Sequence, residues 1–298
     1  MQAIDREQQV LGEAAWRRAE AEHHARVSLL VRGNEERAAR GEKHPVEDFL
    51  FTYYSFRPSA LKRWHPGIGV VIAGEGAREF LERKFYASFD GGVAVDPRQY
   101  PQERREGVFW ILALLRATES RPAAFGCFGL HEWAMVYKQS QEEIRHSAWP
   151  LRLTPEEIAQ VVEAGPVRCT HFDAFRFFTA QARPLNRVQP DRTTIHALEQ
   201  RGCLHANMDL YKWASKLLPF APSELAADAF ELARDIREID MRASPYDFRG
   251  LGYAPIAIET AEGRAEYEAF QRAFAERGVP IRARIASVCE ALAAAWRD

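Results

Sequence analysis

Along residues 223–242 the chain repeats Leu225, Ala229, Leu232, Ile236 and Ile239 at steps of four, three, four and three. Such steps return to one face of a 3.6-residue turn, so the segment reads as an amphipathic helix with a single stripe to bury. A stripe of that length needs packing partners, and the rest of the chain offers them. Residues 261–277 place Tyr267, Phe270 and Phe274 on one face, and a last helix after Pro280 carries Ile285, Val288, Leu292 and Trp296. Val108 to Leu115 is apolar all round, the pattern of a buried helix. Thr154-Pro155-Glu156-Glu157 joins a capping threonine, a proline at the first helical position and a glutamate at the third, which together mark a helix start. Pro45 opens a further helix into the aromatic stretch His44 to Tyr54, because its missing N–H is not needed there.

Only one region reads as strand. Val70-Val71-Ile72-Ala73, Phe85 to Phe89 and Val93-Ala94-Val95 are short apolar or alternating runs, the last two joined by Asp90-Gly91-Gly92. The expected fold class is therefore α+β, mainly helical, with one small β-sheet or hairpin region near residues 68–96. Residues 1–43 read as a charged helical arm broken near Gly33-Asn34, and residues 44–298 as a single helix-dominated domain with a weak boundary near 105. No Gly/Ser linker, low-complexity tract or solenoid-period repeat divides the chain further.

Charge narrows the choice of partners. Forty basic against forty-two acidic residues leave a net charge of −2. A global attraction to nucleic acid or anionic membrane is thus excluded, and only a local patch could supply one. Six of the forty are Lys, so Arg dominates. Arg suits bidentate binding of phosphate and carboxylate, although coding composition alone also produces such a skew. The start of the chain has no apolar h-region, and no apolar run approaches the roughly 20 residues that span a bilayer, so a cytoplasmic protein without membrane contact is expected. The four cysteines lack CxxC spacing and read as reduced, small and buried.

Three segments combine polar groups with surroundings too apolar for an ordinary surface. They are Phe125 to Tyr137, with His131-Glu132; Arg168 to Phe178, with His171 and Asp173; and Gly202 to Trp213, with His205 and Asp209. Burying such groups is costly unless they are paired or liganded. His205 and Asp209 share a helix face at i, i+4. His171 and Asp173 share a side if their segment is extended, and His131 and Glu132 point apart in either conformation. A mixed set of this kind holds Fe, Mn or Zn, or forms an acid/base relay tuned by an apolar wall. It is also compatible with satisfied core histidines. No HExxH, GxGxxG, P-loop, G-x-S-x-G or kinase pattern accompanies it. Arg63 to Gly67 reads as a turn or a gate, and Asp240, Arg242 and Asp247 as a buried ion pair or a grip on a polar ligand.

These segments, together with His44 to Tyr54, Arg63 to Gly67 and Asp240 to Asp247, resemble a bacterial, actinobacterial-type family usually named 3-methyladenine DNA glycosylase. The likeness covers most of residues 44–250. It implies a DNA repair hydrolase that cleaves the N-glycosidic bond of an alkylated base in damaged double-stranded DNA, with no cofactor. The chain departs from the well-understood glycosylases of alkylated bases. It has neither a helix-hairpin-helix turn followed by a catalytic Asp nor a four-cysteine zinc arrangement, so no catalytic residue carries over.

Two enzymatic readings follow, and a non-catalytic helical scaffold stands beside them. For a glycosylase, Trp133, Phe172, Phe175 and Trp213 would box a cationic base. Asp173 or Asp209 would activate water, with His171 or His205 as orienter; Glu132 belongs to the same catalytic set, and Asn207 and Arg242 would contact substrate. For a small-molecule enzyme, metal-dependent in one version with Fe, Mn or Zn, His131, His171 and His205 would be the ligands, with Asp173 and Asp209 as further ligands or acid/base groups.

Overall fold

The computed structural model describes residues 9–144 and 147–297. It is 57% helix and 6% strand, a mainly helical α+β chain with one small mixed sheet. In chain order the helices are α1 (Glu13–Ala39), α2 (Phe49–Tyr53), α3 (Pro58–Lys62), α4 (Arg105–Ser120), α5 (Leu130–Ala134) and α6 (Pro155–Ala164). They continue with α7 (Phe172–Phe175), α8 (Ile195–Leu198), α9 (Leu204–Lys216), α10 (Ser223–Arg242) and α11 (Ala261–Ala295). The strands are β1 (Gln9–Leu11), β2 (Val70–Ile72), β3 (Tyr86–Phe89) and β4 (Gly92–Val95).

The described residues divide into two compact units. The first takes the chain up to Ala113, then Leu210–Glu231 and the segment from Ile281; the second is Leu114–Asp209 with Leu232–Pro280. The whole sheet belongs to the first unit, in the order β1-β2-β4-β3. β3 and β4 form the expected hairpin, with Phe89 opposite Gly92. A side chain at position 92 would run into the carbonyl oxygen of Ile72 at 2.1 Å, so the turn requires glycine there. The sequence reading missed β1, which adds to β2 in parallel through Gln9 to Leu11; a three-residue strand is too short to carry a period.

Residues 13–39 form one unbroken helix across Gly33-Asn34, where a break was expected. Trp16, His23, Val27 and Val31 give it a buried edge, and Trp16 donates its indole N–H to the Ala73 carbonyl at 2.9 Å. Three other expectations are corrected. Pro45 lies in a turn, and the helix begins only at Phe49. The helix over 261–277 and the one after Pro280 are a single helix, with Pro280 inside it. α4 is helical as expected but not buried all round, since Phe109 and Trp110 are exposed.

The second unit is helical. α10 has the bounds read from its stripe, and Leu232, Ile236 and Ile239 are buried in this unit. α6 starts with the full capping box: Thr154 accepts from the Glu157 backbone at 3.3 Å, and Glu157 accepts from the Thr154 N–H at 2.8 Å. All four cysteines are free, and no described helix is long and apolar enough to cross a membrane.

A buried histidine–carboxylate cluster as candidate active site

The cluster lies wholly in the second unit. α5 delivers His131 and Glu132 after an unusual turn: Phe128 and Gly129 take φ of 45° and 71°. Gly129 also faces the Tyr267 ring, which a side chain there would meet at 3.4 Å. Left-handed backbone at a non-glycine residue costs roughly 1–2 kcal/mol, so packing must hold Phe128 in place. The effect is to drive α5 inward, where all five of its residues are buried.

His131 Nε2 lies 3.1 Å from Asp240 Oδ1, 3.3 Å from Oδ2 and 3.9 Å from Glu132 Oε1. The Tyr267 hydroxyl reaches Asp240 Oδ1 at 3.5 Å, and Arg237 Nη1 stands 3.8 Å from Glu132. His205, on the first turn of α9, crosses His131 edge-to-face with ring centroids 4.5 Å apart. Its other side stacks on His171 at 5.3 Å. His171 Nε2 in turn lies 3.5 Å from both Glu199 and Asp209, while its Nδ1 is buried without a partner. A half-buried neutral imidazole is thus flanked by two histidines, each lodged between carboxylates.

The electrostatics sort these groups into roles. Burial opposes charge on His131, but the Asp240 carboxylate and its hydrogen bond overcome it and hold the imidazole protonated well above its ordinary range. His171 is raised in the same way by Glu199 and Asp209, against burial. Burial and the neighbouring His131 charge push His205 down to about 3, so it is neutral. Burial would raise Asp240, yet His131 keeps it ionised and lowered. Glu132 is raised by burial and then by Asp240, because two carboxylates this close cannot both ionise cheaply. The two neighbouring carboxyls are thereby shifted in opposite directions, the separation that acid/base chemistry uses.

One nitrogen from each of His131 and His205 and one Asp240 oxygen lie within 4.8 Å of one another. Donors at about 2.0–2.2 Å from a single cation are at most about 4.4 Å apart, so a shift of a few tenths of an ångström would let all three reach one ion. His131 and His205 also line a cavity of about 140 Å³, with Cys127, Cys169 and Cys203, Thr170, Gln200, Arg168 and Arg187 among its other walls. Burial pushes the Cys169 thiol up to about 11 and raises Cys203 well above its usual value, so these thiols are protonated rather than nucleophilic.

The sequence-predicted residues divide cleanly. His131, Glu132, His171, His205 and Asp209 come together, and both His131 and Glu132 join the cluster although their adjacency suggested only one would. His171 stands apart from the metal-competent set and points to its own carboxylates. Asp173 does not join, because His171 caps α7 and the short helix turns Asp173 to Arg176 at 3.3 Å. None of the four proposed box aromatics lines the cavity. Trp133 is fully buried and donates to the Ala243 carbonyl, and Phe175 packs on Phe178. Phe172 is half-buried on α7. Trp213 belongs to the first unit and packs on Trp110. Asn207 is fully buried and donates to the Arg201 and Cys203 carbonyls, while Arg242 donates to the Ala254 carbonyl; neither lines the cavity.

Glu199, Arg187 and Tyr267's place beside the cluster went unread, and Asp240 was read only as an ion-pair or ligand-grip residue. The available signal for Asp240 was its position, four residues after Ile236 on the buried stripe of α10. A carboxylate on an apolar stripe must be paired or liganded. Comparison with family models, with curated proteins and with solved structures finds no match to this chain.

Proposed function

We propose that this chain is a divalent-metal-dependent hydrolytic enzyme acting on a small molecule, with His131, His205 and Asp240 as the metal ligands. The observation that carries this reading is the convergence of those three donors, of which His131 and His205 stand in the wall of a cavity. Two imidazoles and a carboxylate suit Fe(II), Mn(II) or Zn(II). His205 is already neutral and can bind a cation without first losing a proton; His131 exchanges its proton for the metal. A cation there would lower the pKa of bound water and supply a nucleophile near neutral pH. Glu132, whose carboxyl is pushed upward by burial and by Asp240, is the group placed to deliver a proton to the leaving atom. His171, between Glu199 and Asp209, fixes the ring of His205 from its other side.

The test is metal analysis of the purified chain after loading with each ion. One equivalent of Fe, Mn or Zn is expected, lost in His205→Ala with the fold retained. No saturable uptake of any of the three would remove the reading. Base release from alkylated DNA is a second reading, favoured by the guanidinium groups of Arg168 and Arg187 beside the cavity, which could clamp phosphates flanking a flipped nucleotide. Release of methylated bases by the purified protein tests it, and none above background rejects it.

A further inference from the structure

The cavity has a polar rim that the metal reading leaves unused. Arg168 and Arg187 both line it, both are exposed, and neither guanidinium has an ion pair or hydrogen bond to another described residue. The two positions are held side by side by backbone. The Arg187 N–H donates to the Val167 carbonyl at 3.0 Å. Buried Asn186 then locks the pair of segments: its Oδ1 accepts from the Cys169 N–H at 2.7 Å, and its Nδ2 donates to the Cys169 and Val188 carbonyls at 2.9 and 2.6 Å. The forks therefore hang from fixed anchor points rather than from a loose loop.

Two further features point the same way. Thr170, only 8% exposed, lines the cavity and has no side-chain hydrogen bond to another described residue. α9 begins at the cavity, where Cys203, Leu204 and His205 form part of the wall. Its N-terminus presents the positive end of a 13-residue helix. Two guanidinium forks, a hydroxyl and a helix N-terminus make a receptor for an oxyanion. No carboxylate lines the cavity to oppose it.

We propose that the cavity binds its substrate through a carboxylate or phosphate group gripped between Arg168 and Arg187, with the reacting bond turned toward His131 and His205. This rests on the cavity being the substrate site proposed above, but not on the metal. The volume holds on the order of ten water molecules, which fits a small organic acid or phosphate ester.

The experiment is calorimetric titration of the full chain, metal-free, with inorganic phosphate and with malonate. Saturable binding of at least one is expected, weakened roughly tenfold or more in Arg168→Gln and in Arg187→Gln, since hydrogen bonds to charged groups are worth at least one decade of affinity. Arg→Lys at either position should restore only part of the loss, because a point charge remains while the fork is gone. Both residues are exposed, so the variants should fold, which circular dichroism checks. Zn(II), Mn(II) and Fe(II) titrated separately into the same metal-free chain read the metal site by itself, so failure of the metal reading shows up separately from failure of anion binding. Binding of neither anion, or unchanged affinity in both Gln variants, overturns the proposal. So does tight, salt-steep binding of a duplex oligonucleotide with no small-anion binding, which would assign the pair to a nucleic-acid backbone.

Discussion

In the first unit His65 Nδ1 meets the Tyr86 hydroxyl at 2.9 Å and His23 Nε2 meets the Leu61 carbonyl at 2.9 Å. In the second unit His131 meets Asp240 at 3.1 Å and His171 meets Glu199 and Asp209 at 3.5 Å. All four histidines are buried. Their partners decide what they are. Beside neutral acceptors and donors, burial wins: His65 is pushed down to about 3, first by desolvation and then by Arg83 and Arg63, and His23 is lowered too. Beside carboxylates, the ion pair overcomes the same desolvation and the imidazole is shifted upward instead. A buried neutral histidine hydrogen-bonded to a tyrosine completes a core. Two upward-shifted ones on either side of a neutral third, with His131 and His205 at a cavity, keep proton and ligand exchange open.

The largest effect expected from this contrast is at Asp240. Asp240→Ala should cost about 3–5 kcal/mol in urea unfolding, because it strands a buried partner. Asp240→Asn should cost less and move the His131 titration downward in NMR; an unmoved His131 would show that Asp240 is not what keeps it charged. The next effect separates the units by pH. Unfolded histidine takes a proton near 6.5, whereas folded His65 does so only at about 3. Its contribution to stability is therefore lost progressively as pH falls from 6.5 toward 3, by up to about 1.4 kcal/mol per unit. His65→Asn should flatten that acid limb. In the metal-free protein His131 and His171 have the opposite sign: their raised folded values give stability present below 6.5 and lost as pH rises through those values. An acid limb unchanged in His65→Asn would erase the distinction between the two kinds of histidine. The smallest effect is a control away from both. Thr154→Ala should lower stability by about 1 kcal/mol through the lost cap of α6, with metal uptake unchanged.

Much of the second unit's framework was legible along the chain. The four-three stripe placed α10 to its observed bounds, and the Thr154 capping box placed the start of α6, because both are local patterns enforced by helix geometry. The three polar segments in apolar surroundings pointed to the cluster, since uncompensated burial is costly wherever it occurs. Direction was harder to read. Asp173 was as good a candidate as Asp209 until the His171 cap turned it outward, and Trp213 looked like a pocket wall until it fell in the other unit. Glu199 and Arg187 sit in segments with no apolar run around them and so gave no signal.

The sequence by itself determined that helices would dominate, that a small hairpin would form near 68–96, and that His131, His171 and His205 needed partners. Tertiary structure alone decided which partners they received. Asp240 arrives from 109 residues away, and its closeness to His131 raises that imidazole while burial and the His131 charge lower the next. Periodicity encodes which face is buried; the pKa of a buried group depends on what the fold puts opposite it, and no local pattern carries that information.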